Sequence, residues 1–74
     1  MSVPDRIVDA RGLLCPWPVV RLLRAVREAA GPVRIRLLAD DPGASAEVAQ
    51  LCRERRWSFV SDPADPEAFN VVIA

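Results

Sequence analysis

Apolar residues recur along this chain with two alternating periods. A short β-type run, Arg6–Ala10, has Ile7 and Val8 as its apolar content. Further on, Val19, Leu22, Leu23, Val26 and Ala30 recur every three or four positions, which predicts an amphipathic helix from about Pro16 to Ala30. Arg21, Arg24 and Glu28 fall on its opposite face, and Gly31-Pro32 supplies the usual stop. The period then changes to two. In Val33–Ala39, Val33, Ile35, Leu37 and Ala39 point one way and Arg34 and Arg36 the other, the pattern of a strand covered on one face and wet on the other. Asp40-Asp41-Pro42-Gly43 leads into a second helix, with Asp41 suited to the N-cap and Pro42 to the first helical position. That helix runs to about Arg55 with Ala44, Val48, Leu51 and Cys52 as its stripe and with Glu47, Gln50, Arg53 and Glu54 solvated. Trp57–Val60 is a third strand, Asp62–Glu67 a loop marked by Pro63 and Pro66, and Phe69–Ile73 a fourth strand.

The order βαβαββ, with right-handed crossovers, predicts an α/β protein. Its architecture is a two-layer sandwich in which two helices cover one face of a four-stranded mixed sheet. The chain has 74 residues, read as one domain over 1–74 near the size where a single core is only just sufficient. Half the residues are apolar, enough for a globular core.

Charge and residue usage then narrow the chemistry. Ten basic and ten acidic residues balance, which gives no support for nucleic-acid binding. Every basic residue is Arg, which removes Lys-based Schiff-base or P-loop chemistry. With no His, Cys-His and Ser-His-Asp sites and imidazole-containing zinc sets are excluded. Two cysteines are too few for a disulfide scaffold or a structural zinc site, so neither metal nor cofactor is expected. Met1–Asp5 shows no signal-peptide pattern, and no apolar stretch approaches the ~20 residues that span a bilayer. A cytoplasmic protein with reduced thiols is expected.

Cys15 is the candidate reactive atom. It stands at the start of the first helix, read as the N-cap, followed by Pro16, Trp17 and Pro18. Two of the first three helical positions then lack an amide hydrogen, and Trp17 N–H is the donor left for the sulfur. The helix dipole favours an anion there by ~0.3–1 kcal/mol, and Arg11 adds to this if it turns toward the sulfur. The expected direction is a thiol pKa below the ordinary value, on an exposed sulfur. The competing reading, a small buried hydrophobe, fits the Pro-Trp-Pro context poorly. Cys52 is expected in the core and unbonded. Both helices leave the same sheet edge, and Cys52 lies about ten residues into the second, an offset of roughly 15 Å where a disulfide needs Cα atoms within about 7 Å. Trp17 is either a docking contact for a partner protein or folded back on its loop. Arg21 and Arg24 form a basic rim or a plain solvated face.

The run Val8-Asp9-Ala10-Arg11-Gly12-Leu13-Leu14-Cys15-Pro16-Trp17-Pro18 resembles the signature of the TusA/SirA-like sulfur carriers, and Ala39-Asp40-Asp41-Pro42 is similar to that family's pattern before the second helix. The resemblance covers nearly the whole chain. It implies a βαβαββ sandwich in which Cys15 accepts a sulfane sulfur from a cysteine desulfurase or a rhodanese-like donor. Cys15 would then pass it to an acceptor protein, in relays toward tRNA thiolation, molybdenum-cofactor assembly or sulfur oxidation. It gives Cys15, Pro16 and Pro18 the motif roles, makes Asp9, Arg11 and Gly12 the residues that shape the loop, and places Asp40 and Asp41 near the second helix. Two departures stand out. Trp17 occupies a position where a charged or polar residue is common, and the chain ends after the fourth strand without a basic tail. From the residues alone, a non-catalytic regulatory interaction module and a thiol redox sensor remain alternatives to the persulfide carrier.

Overall fold

Val33–Leu38, the strand with the clearest alternation, becomes the centre of the sheet. The computed structural model describes residues 4–73 of the chain. Its elements are β1 (Asp5–Asp9), α1 (Trp17–Ala29), β2 (Val33–Leu38), α2 (Ala44–Arg55), β3 (Ser58–Asp62) and β4 (Asp65–Ile73). The strand order is β1-β2-β4-β3. β1 lies parallel to β2, while β4 runs antiparallel to both β2 and β3, so the sheet is mixed. The expected two-helix, four-stranded α/β fold is the one observed.

Alternation decides which face is covered. Val33, Ile35 and Leu37 of β2 and Phe69 and Val71 of β4 pack under the helices with Leu22 and Ala25 of α1 and Val48 and Cys52 of α2. Each large side chain in this layer contributes about 1.5–3 kcal/mol through removal from water. The other face is open. There Asp5 pairs with Arg34 at 2.8 Å and Arg36 with Asp62 at 2.9 Å, between Ile7, Val60 and Val72.

Several boundaries differ from expectation, each for a local reason. β1 begins and ends one residue early, because Ala10 is already buried in the turn that follows and donates its N–H to Leu38 O at 2.7 Å. α1 ends at Ala29. Ala30 takes the left-handed cap conformation, φ 53°, and is exposed rather than part of the stripe. The buried stripe is instead Pro18, Leu22 and Ala25. Asp41 is not the N-cap of α2: Gly43 is, no side chain caps the helix, and the Asp41 carbonyl accepts Ala44 N–H at 3.0 Å. Trp57 precedes β3 and donates its N–H to Cys52 O at 2.8 Å, closing the end of α2.

The largest correction concerns the segment read as a loop over Asp62–Glu67. It is a tight hairpin in which Asp62 pairs with Asp65 and the Asp62 carboxylate accepts Ala64 N–H at 2.8 Å. Pro66 fits inside β4 because the ladder shifts register between Ser61 and Asp62, so its missing N–H breaks no pairing.

Candidate functional site

Both crossover loops leave the sheet at the same edge because β1 and β2 are parallel neighbours. The β1–α1 loop opens with a turn in which Leu13 N–H donates to Ala10 O at 3.2 Å. Gly12, the third residue of that turn, sits at φ +82°, which a glycine adopts without the penalty a Cβ would bring. Asp9 braces the turn. Its carboxylate accepts the Arg11 backbone N–H at 3.1 Å and takes both ends of the guanidinium, Nε at 3.0 Å and Nη2 at 2.8 Å. These hydrogen bonds from Arg11 hold the Asp9 carboxyl down at about 2. The second loop contributes Asp40, whose carboxylate accepts Gly12 N–H at 2.9 Å and ties the two crossovers together.

One prediction follows from the brace. Asp9 is expected to titrate near 2 in a carboxyl-carbon NMR titration, and Arg11→Ala to bring it back toward 3.8. The folded-state value is depressed, so the brace is intact above 3.8 and is lost as pH falls through about 2. An Asp9 midpoint that ignores the Arg11 substitution would contradict the pairing.

A second turn presents the sulfur. Trp17 N–H donates to Leu14 O at 2.9 Å, with Cys15 and Pro16 at the bend and a cis Cys15–Pro16 peptide. Pro16, not Cys15, is the N-cap of α1, and no side chain caps the helix. The Trp17 amide, expected to serve the sulfur, is spent on Leu14. The thiol is half-exposed, and the two cysteines are free, with Cys52 buried under α2.

The electrostatics reverse the expected direction. Arg11 is held by Asp9 and lies within the field of Glu67 and Asp65, so it does not turn toward the sulfur. The group that acts most on the Cys15 thiol is Glu47, from the first turn of α2. The Glu47 carboxylate, partial desolvation and the negative charge of Asp41 together push the thiol up to about 11. The Cys15 thiol is therefore raised above its ordinary value, not lowered below it as expected from the helix start alone. Two loops joined by the Asp40–Gly12 bond place an acidic helix start beside the cysteine.

The residues singled out beforehand divide into distinct groups. Asp9, Arg11 and Gly12 build the turn; Pro16 and Trp17 stay on the surface; Pro18 is buried in the core. Sequence reading misses Glu47, placed there among solvated residues. Its signal is topological: parallel crossovers bring the first turns of both helices to one edge, and Glu47 is the acidic residue of the first turn of α2. Among the described residues no three His, Cys, Asp or Glu side chains gather as a metal site, and no helix is long and apolar enough to cross a membrane.

Fold and site together define a small α/β protein whose accessible chemistry is one thiol at a loop–helix junction. The sequence matches, over residues 6–74, the family described as Sulfurtransferase TusA. It is also 34% identical over 53 residues to the Sulfur carrier protein TusA of Buchnera aphidicola subsp. Baizongia pistaciae (strain Bp), an alignment covering 72% of this chain and 67% of that protein. The chain belongs to the TusA family.

Proposed function

We propose that this chain is a sulfur carrier whose Cys15 accepts a sulfane sulfur from one protein and delivers it, as a persulfide, to another. The observation that supports this most is the half-exposed Cys15 thiol on a turn braced from both crossover loops, in a chain of the TusA family. A carrier of this kind needs no cofactor of its own. In the loading step the Cys15 sulfur attacks the outer sulfur of a donor persulfide. A sulfur–sulfur bond forms at Cys15, the donor's sulfur–sulfur bond breaks, and the thiol proton ends on the donor's released sulfur. Two thiol-level groups and one sulfane sulfur stand on each side, so no oxidant is consumed. Delivery is the same exchange in reverse toward an acceptor thiolate. A cysteine desulfurase or a rhodanese-like protein fits as donor, and the acceptor is a sulfur-handling protein of a thiolation, cofactor-assembly or sulfur-oxidation relay.

The raised thiol pKa bears on how this would work. A protonated Cys15 is a weak nucleophile, so loading is favoured where a docked donor offsets the negative charge of Glu47. The loaded sulfur extends the side chain by one bond of about 2 Å, further from the turn. The same raised pKa counts against a peroxide sensor, which needs a low-pKa thiol.

The test is chemical. Incubation with a cysteine desulfurase and cysteine, followed by cyanolysis, is expected to release about one thiocyanate per chain from the wild type. Cys15→Ser is expected to release none, while a Cys52→Ala chain behaves as wild type. Equal release from the Cys15→Ser chain would remove the proposal.

A further inference from the structure

We propose that the open face of the sheet is where two copies of this chain meet, back to back, as a weak dimer related by a two-fold axis running along the strands. The occupant assigned to the face is a second copy of the chain, and the assignment stands apart from the carrier reading above.

The face is uncovered because both helices pack on the other side of the sheet. It is shaped, not flat. Ile7 is 73% exposed and Val60 60%, and they stand on the two outer strands, β1 and β3. Between them lies a shallow hollow of about 550 Å³ lined by Asp5, Ile7, Arg34, Arg36, Asn70 and Val72. Val60 lies outside that hollow, an apolar knob on the far strand. Knob and hollow are therefore on the same molecule, at opposite sides of one face.

The register shows what a copy would meet. Ile7 pairs across to Arg36, Arg36 to Asn70 and Asn70 to Val60, so these four form one row across the sheet. Asp5, Arg34, Val72 and Ser58 form the next. A two-fold axis parallel to the strands reverses the order β1-β2-β4-β3 in the second copy. Each Val60 then stands over Ile7 of the second copy, at the rim of its hollow, and each Arg36 over Asn70, a guanidinium on an amide. In the neighbouring row Asp5 meets Ser58 and Arg34 meets Val72. No charge in these two rows meets a like charge. An axis across the strands does the opposite: it lays β2 on itself and sets its two arginines against their own copies. Two sheets packed with their strands about 30° apart is the ordinary way such faces bury each other, and the axis along the strands gives that arrangement.

Charge points to a copy rather than to a partner of another kind. The carboxylates on this face each have an arginine: Asp5 has Arg34 at 2.8 Å, Asp62 has Arg36 at 2.9 Å and Asp9 has Arg11 at 2.8 Å. A strongly acidic or basic partner finds no net charge to oppose, whereas a second copy brings the same balanced set. Asp9 and Asp62, which come over one another at the far end, are each neutralised by their own arginine. Four strands about 4.8 Å apart and five residues at about 3.3 Å give a footprint of about 19 by 17 Å. That is small for a specific interface, so the dimer is reversible, with a Kd on the order of 10–100 μM. The axis keeps the strand directions of both copies alike. Both Cys15 turns, which follow β1, therefore open at the same end of the dimer, and the helices face outward.

The test uses the full chain. Sedimentation in the presence of a thiol reductant is expected to show monomer at about 1 μM and mostly dimer at about 500 μM. Val60→Arg, with its folding checked by circular dichroism melts, is expected to weaken association about tenfold or more, because it sets a cation over Ile7 of the second copy. Cross-linking reads the axis and does not depend on that variant. In a Cys15→Ser background, Ile7→Cys chains and isotope-labelled Val60→Cys chains are mixed at high concentration and mildly oxidised. The mixed disulfide between positions 7 and 60 is expected to exceed either like pair by about tenfold or more, far above its share in random encounter. A wild type that stays monomeric at about 500 μM overturns the dimer. A folded Val60→Arg chain that associates as the wild type does overturns the surface. Cross-links in the random ratio, or an excess of like pairs, overturn the axis. None of these results touches the carrier reading, which is decided by sulfur on Cys15.

Discussion

Glu47→Gln is expected to raise the thiolate fraction of Cys15 at neutral pH by up to about a hundredfold. The Glu47 carboxylate favours the neutral thiol over the anion that would replace it, and it is the largest of the influences that move the group from 9.0 to about 11. A neutral amide removes the repulsion and offers an N–H to the thiolate. A return toward the ordinary value is a change of two pKa units, or about two decades in the thiolate population. The reaction rate rises less. A less basic thiolate is a weaker nucleophile, with a Brønsted slope of about 0.4–0.5, which gives back roughly one decade and leaves a net gain of about tenfold in alkylation. The check is the pH–rate profile of iodoacetamide labelling at Cys15, resolved from Cys52 by peptide mass. Its inflection should move from about 11 in the wild type toward 9.0 in the variant, and Glu47→Asp should keep part of the shift. Superimposable profiles for wild type and Glu47→Gln would show that Glu47 does not control the sulfur.

Leu22→Ala is expected to cost about 3 kcal/mol of folding stability, within the range for deleting a fully buried leucine side chain. Leu22 is completely buried at the centre of the α1 stripe, where it meets the β2 layer of Ile35 and Leu37. A chain of this size loses about 4–8 °C in Tm per kcal/mol, so the melting midpoint should fall by roughly 10–25 °C. Domains as small as this hold only a modest margin over unfolding, and the variant is expected to be partly unfolded at 37 °C. Because α1 starts at the residue after the N-cap Pro16, loosening it also loosens the turn that presents Cys15. Val60→Ala, on the open face of the sheet, is the contrast and should move stability by less than about 0.5 kcal/mol. Far-UV circular dichroism melts measure both; equal shifts would mean the core is not where the packing places it.

These expectations show which parts of the molecule are legible in its sequence. The element order was readable because each element buries one face with its own period, two in Val33–Leu38 and near 3.6 in the helices. The buried alternation of β2 and the Ala44, Val48 and Cys52 stripe of α2 both follow it. The β3–β4 hairpin hid behind Pro63 and Pro66, which mark a loop by composition; a register shift lets β4 pass through Pro66. Pro18 looks like a stiffener of the helix start, yet it is among the fully buried side chains.

The site is legible in its members and not in its electrostatics. Gly12 shows its left-handed conformation, and Asp9 and Arg11 their turn, within a few residues of chain. The state of the Cys15 thiol depends instead on Glu47, from the other crossover. Local reasoning on the helix start weighs a dipole effect of under one pKa unit. The carboxylates of the neighbouring helix start outweigh it and reverse the sign. The helix start alone therefore cannot give the protonation state of a cysteine in a parallel crossover. The first turn of the neighbouring helix has to be counted as well.

The claim that carries the rest is that sulfur is borne on Cys15. Intact-mass spectrometry of the chain after exposure to glutathione persulfide and removal of excess reagent tests it most directly. The account predicts a species heavier by one sulfur atom in the wild type, mapped to the peptide containing Cys15, discharged by a thiol reductant and missing from Cys15→Ser. Added sulfur mapping to Cys52, or persisting in Cys15→Ser, would contradict it.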